Sequence, residues 1–173
     1  MEHKAFTQKA DGRVNEIRSV AGVFIVASAQ DGIPTEIEQF QAVWDTGATN
    51  TVVTSTVIER IGSRPITYVP VGTAGGEVKN APVHLLNIVL PNNVIIPNIQ
   101  VTELKDLNSC DILVGMDIIS SGDFAITHPS GRAVFSFRMP SSRPIDFVPE
   151  SNLHNLKLAR GPRRASTKKK KKK

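Results

Sequence analysis

The chain has 173 residues, 40% of them hydrophobic but only 5% aromatic, and a formal charge of +5. That length suits one domain with a real core and is short for two, and a core poor in aromatic rings has to be built from Val, Ile and Leu, which favours strands. The charge misleads about the body: Arg160 to Lys173 holds nine Lys and Arg and no acid, while the remaining 159 residues carry 12 basic and 16 acidic side chains, a net of −4.

Met1 to Arg13 is polar and without a clear period, an N-terminal arm that is either free or paired once folded. From Val14 to Ala29 a β-type run rises to Val23-Phe24-Ile25-Val26. Asp31-Gly32 is a hairpin signal, and Ile37 to Trp44 returns as the partner strand. Asp45-Thr46-Gly47-Ala48-Thr49 follows at once. Thr51 to Val53 is a short strand, Thr56-Val57-Ile58-Glu59 fits a capping box, and Gly62 stands where a helix of one or two turns would stop. Ile66 to Val71 is again extended and leads into a glycine-rich tip, Gly72-Thr73-Ala74-Gly75-Gly76. Glu77 to Leu90 runs on as a strand, Pro91-Asn92-Asn93 turns it into Val94 to Leu104, and Leu107-Asn108-Ser109 is a loop. Asp111-Ile112-Leu113-Val114-Gly115-Met116-Asp117 then takes an apolar strand through a glycine into a short helix that Gly122 is expected to end. Phe124 to Thr127 and Ala133 to Phe137 are strands joined by the turn His128-Pro129-Ser130-Gly131. From Met139 onward the pattern dissolves into a Pro-containing stretch and a Lys-rich end, with disorder expected at least from Ala159. Short strands at this spacing, joined by Gly/Pro/Asn turns, predict an all-β fold, a small closed β-barrel with one or two short helices. The implied organisation is an arm over 1–13, a domain over 14–139 and a tail over 140–173.

Several function classes fall away. Cys110 is the single cysteine, which rules out an intrachain disulfide and fits a reducing, cytoplasmic compartment. It adjoins an apolar strand with no histidine near it in sequence and reads as a packing residue. The opening residues show no basic-then-apolar leader, and the most apolar window, Val20 to Ala29, is too short to span a bilayer. His3, His84, His128 and His154 are scattered without metal-ligand spacing, so neither a metal nor another cofactor is expected.

The residues that carry chemistry are Asp45, Thr46 and Gly47. A strand delivers the aspartate to a turn, and a glycine there lets the backbone N–H approach the carboxylate. By itself the triplet is also what an Asx-type turn closing a strand looks like. Asp-x-Gly-x-Thr after a strand further fits a phosphate-binding loop of the actin and sugar-kinase type, but the second phosphate loop and the longer chain of those enzymes are missing. Paired with the later Ile112-Leu113-Val114-Gly115 run and its helix, the loop resembles the retropepsin family of aspartic proteases, in which an apolar-apolar-Asp-Thr-Gly-Ala loop precedes an apolar-apolar-Gly and helix. The resemblance covers about Val14 to Met139.

That resemblance implies a barrel of the acid-protease type and an aspartic endopeptidase. With one Asp-Thr-Gly per chain, the two carboxylates such chemistry needs imply a homodimer contributing one Asp45 each. Thr46 would hydrogen-bond across the two-fold axis, Gly47 would approach the carboxylates, and Ala48, Thr49, Val114 and Gly115 would support the loop. The tip Gly72, Thr73, Ala74, Gly75 and Gly76 resembles a flap over a bound peptide or protein substrate. Asp117, in the helix after Gly115, reads as a helix N-terminal charge and not as a second catalytic acid. Trp44 departs from the aliphatic residue usual before the aspartate, and a ring there either packs under the loop or changes how the site closes. The chain ends match no interleaved terminal strands of the retroviral kind. A catalytically silent dimerisation or peptide-binding module on the same fold is the alternative. The basic run over 160–173 is expected to attract nucleic acid or an acidic membrane face, or to have no role.

Overall fold

A computed structural model describes residues 2–25, 34, 36–73 and 76–159, which belong to two units divided after Ser142. The predicted Asp31-Gly32 turn, the tip residues Ala74 and Gly75 and the basic run over 160–173 lie outside the described residues. Among the described residues no helix is long and apolar enough to cross a membrane.

The first unit is built of strands, β1 (Lys4–Ala10), β2 (Ile17–Phe24), β3 (Glu38–Trp44), β4 (Val52–Thr54), β5 (Thr67–Thr73), β6 (Gly76–Leu90), β7 (Val94–Leu104), β8 (Ile112–Val114), β9 (Asp123–Thr127) and β10 (Ala133–Met139), with helices α1 (Ser55–Ile61) and α2 (Met116–Ile119). Six strands pair in the order β2-β3-β8-β4-β7-β6, and a further β2–β6 pairing closes them into a barrel, with β5 added outside β6. The β3–β8 and β4–β7 contacts are parallel. Closure removes free edges and lets alternate side chains fill one interior. That interior is aliphatic, as the composition demands, with Val23, Val53, Leu86, Ile88, Val101, Ile112 and Val114 at 1% exposure or less.

The polar N-terminal residues do pair. β1 runs antiparallel to β10, and β10 to β9, as a separate three-stranded sheet. Phe6 is the one buried residue of β1 and joins Trp44, Phe124, Phe135 and Phe137 in an aromatic layer with ring centroids 5.0 to 6.2 Å apart. Five of the nine Phe, Tyr and Trp rings of the chain are thus gathered in one place.

Three local expectations need correction. α1 begins at Ser55 with Thr54 as its N-cap and no side-chain cap bond, so the Thr56–Glu59 capping box does not form. Side-chain bonds fasten the helix to the barrel instead. His84, 1% exposed, lies 3.0 Å through Nδ1 from Ser63 Oγ and 3.0 Å through Nε2 from Glu103 Oε2. Ser55 Oγ–H donates to the other Glu103 oxygen at 2.6 Å. Both ends of α1 are strapped to β6 and β7 by this chain, and Gly62 caps the C-terminus at φ 68° as expected. α2 ends at Ile119, three residues before Gly122. The second unit, finally, contains a helix, α3 (Val148–Ala159), where the pattern indicates none; Pro149 sits in its first turn, where a missing N–H costs nothing.

Candidate active site

The site starts from the register of β3. Trp44 is partnered by Ile17 on β2 and, in parallel, by Val114 on β8. Asp45 and Gly115 therefore leave the barrel side by side. Trp44 is buried, its Nε1–H donates to Ser19 Oγ at 2.9 Å, and its ring lies 5.0 Å from those of Phe135 and Phe137. The ring packs under the loop, between the barrel and the three-stranded sheet.

The loop itself is tied at nearly every residue. Asp45 N–H donates to the Val114 carbonyl at 2.9 Å, and the Asp45 carbonyl accepts from Ala48 N–H at 3.2 Å, closing a turn. Met116 N–H donates to the Ala48 carbonyl at 2.8 Å and Asp117 N–H to that of Thr49 at 3.2 Å, so the first orphan donors of α2 are spent on the loop. The Asp117 carboxylate accepts from Thr51 N–H at 2.8 Å and Thr51 Oγ–H at 2.7 Å, as well as from Ile118 N–H at 2.9 Å. The expected helix N-terminal charge is in place and doubles as the anchor of the loop. Thr51 Oγ in turn accepts from Gly115 N–H at 3.2 Å. Gly115 is required sterically: a Cβ there would stand 2.5 Å from the Asn50 carbonyl carbon and 2.6 Å from its oxygen.

The carboxylate is held from one side. Gly47 N–H donates to Asp45 Oδ1 at 2.8 Å, while Oδ2 has no hydrogen bond among the described residues. Asp45 is half-buried, and Thr46 and Gly47 are exposed. Asp45 and Thr46 border an open groove of about 530 Å³ whose walls include Val43, Leu107, Cys110, Leu113, Phe124 and Ile126. Burial pushes the Cys110 thiol above its usual pKa of 9.0, with the Arg18 guanidinium opposing, and its half-buried place in the groove wall suits a packing residue.

Of the residues expected at the site, Asp45, Thr46, Gly47, Ala48, Thr49, Val114 and Gly115 come together. The glycine-rich tip belongs to a different element, the β5–β6 hairpin, where Gly72 pairs with Glu77 and Thr73 with Gly76. The anchors of the site were not legible in the sequence. Asp111 accepts from Gln41 N–H at 2.9 Å, its own N–H donates to the Gln41 carbonyl, and its carbonyl accepts from Thr54 N–H, each at 2.9 Å. Arg18 donates to the Ser109 carbonyl at 2.8 Å and so fixes the groove wall. The only available signal was an aspartate placed directly before an apolar strand.

Residues 35–121, half of the chain, match the family model described as gag-polyprotein putative aspartyl protease. Among solved structures, the chain is similar to a retropepsin-like aspartic protease from Rickettsia conorii, at 16% identity and a TM-score of 0.50 over 80% of this chain and 98% of that one. It is also similar to the retroviral protease-like domain of Ddi1 from Leishmania major, at 18% identity and a TM-score of 0.40 over 71% and 95%. Comparison with curated proteins gives no match.

Proposed function

The chain belongs to the gag-polyprotein putative aspartyl protease family, and from that premise we propose that it is an aspartic endopeptidase, active as a homodimer. The observation that carries the proposal is the Asp45 carboxylate, fixed through Oδ1 by Gly47 N–H at 2.8 Å on an immobilised turn at the border of the groove.

Peptide hydrolysis without a metal or a covalent nucleophile needs water activated on one side and the amide protonated on the other. Two carboxylates about 3 Å apart supply both, because like charges that close hold one proton between them. The ionised Asp45 takes a proton from water as its oxygen attacks the scissile carbonyl carbon. The protonated Asp45 of the other subunit donates toward the carbonyl oxygen, and the C–N bond breaks as the leaving nitrogen is protonated. One chain offers one Asp45 loop, so the site is complete only in the dimer. Thr46, exposed beside Asp45, ties the two loops across the axis, and the β5–β6 hairpin with Gly72, Thr73 and Gly76 closes over the substrate. The basic run over 160–173 acts apart from catalysis through polyanions, and deleting it should abolish salt-sensitive nucleic-acid or acidic-vesicle binding while sparing cleavage.

The test is cleavage of a mixed peptide library by the parent chain and by Asp45→Asn, which keeps the shape and removes the shared proton. Hydrolysis should fall by orders of magnitude with the fold intact. A parent chain that dimerises and binds peptides without cutting them would instead be a binding module.

A further inference from the structure

We propose that the second subunit joins through β9, edge to edge with its own copy, so that two three-stranded sheets become one six-stranded sheet across the two-fold axis. The inference rests on the two-carboxylate reading above and adds the surface that delivers the second Asp45.

Carboxylates that share a proton stand about 3 Å apart, so the axis passes beside Asp45 and the interface is made of what borders it. The strands that feed the loop have no backbone to offer: β3 lies between β2 and β8, and β8 between β3 and β4. β9 differs. It ends the order β1-β10-β9, and its Phe124 and Ile126 line the same groove as Asp45 and Thr46.

Among the described residues three strands keep an open edge, namely β1, β5 and β9. Two of them carry the devices that prevent edge pairing. β1 has Lys4 and Lys9, its Ala5 carbonyl already accepts from Asn92 Nδ2–H, and Lys4 donates to the Asn93 carbonyl at 3.0 Å. β5 has Pro70 in its middle. β9 has neither device. Its one charge, Asp123, is spent on Arg138, on Ser141 Oγ–H at 2.6 Å and on Ser142 N–H at 3.1 Å. What remains is the uncharged run Phe124 to Thr127, with Ile126 41% exposed. A two-fold axis perpendicular to such a strand places its copy antiparallel, the arrangement whose ladder bonds run straight across. Among the described residues one edge is therefore left unguarded, and it is the edge beside the carboxylate.

The experiment uses the full chain with Asp45→Asn, under reducing conditions, so that assembly is read without any requirement for catalysis. A failure of the protease reading then appears only in the cleavage assay and a failure of this one only in sedimentation. The Asp45→Asn chain should sediment as a concentration-dependent dimer. Adding Ile126→Lys, which sets an ammonium in the apolar seam, should weaken dimerisation by about tenfold or more, while Ala5→Lys on β1 should leave it unchanged. Amide hydrogen exchange needs no edge variant: protection over residues 124–127 should rise with protein concentration, and that over β1 should not. A chain monomeric at all concentrations, an Ile126→Lys dimer of parental affinity, a dimer lost with Ala5→Lys, or concentration-dependent protection confined to β1 would each overturn the proposal.

Discussion

The Asp45 loop and the β5–β6 hairpin both reverse the chain between strands, yet they are built in opposite ways. From Asp45 to Thr51 the loop is tied to β8, α2 and β7, through Val114, Gly115, Met116, Asp117 and Thr102. β5 pairs with β6 alone, and its register slips between Val69 and Val71 around Pro70. Tyr68 is 60% exposed. The contrast suits the proposed roles: a catalytic carboxylate must be placed to a fraction of an ångström, whereas a cover has to admit and release a chain.

The contrast breaks most violently at Gly115. Its Cβ would meet backbone atoms of Asn50 that cannot withdraw without cutting the bonds from the loop to α2. Gly115→Ala should cost about 3 kcal/mol in denaturant unfolding, with peptide cleavage lost; a parental midpoint would show the loop to be softer than drawn. Next comes Asp117→Ala, which strips Thr51 N–H and Oγ–H of their acceptor. About 2 kcal/mol of stability should go with it, and thermal melting should read the loss.

The start of β9 is an intermediate case, held by one side chain. Ser141, Arg138 and Ser142 hold Asp123 down from 3.8 to about 2. Because the folded pKa is the lower, the stabilisation is present above the unfolded value and is lost as pH falls toward 2. Asp123→Asn should therefore melt below the parent at neutral pH and converge with it near pH 2; a gap independent of pH would mean that the charge is not what matters.

Least should happen at Gly72, where a Cβ meets nothing within 4 Å. Gly72→Ala should leave unfolding within about 0.5 kcal/mol of the parent and slow peptide turnover if the hairpin is the cover. Destabilisation on the scale of Gly115→Ala would erase the difference between the two regions.

What the sequence revealed divides along a similar line. Asp45-Thr46-Gly47 and Val114-Gly115 were legible because a sharp turn and a close backbone approach each demand a particular residue type, and the strands were legible as short Val-, Ile- and Leu-rich runs between Gly/Pro/Asn turns. Long-range partners were not. Nothing local says that Trp44 meets Ser19, that His84 bridges Ser63 and Glu103, or that Asp117 serves Thr51, 66 residues away. β1 looked like a polar arm because only one of its two faces is buried, and only at Phe6. The capping box failed for the opposite reason: the local pattern was present, and the β4 boundary placed the helix start one residue before it.

The central claim is that catalysis takes one carboxylate from each of two identical chains. Mixing the parent with a roughly ninefold excess of Asp45→Asn, with exchange to equilibrium, tests it most directly, because most parent subunits then sit in mixed dimers. Cleavage per parent subunit should fall to about a tenth if both Asp45 carboxylates are needed. Cleavage per parent subunit that stays constant, with mixed dimers verified by mass, would contradict the account.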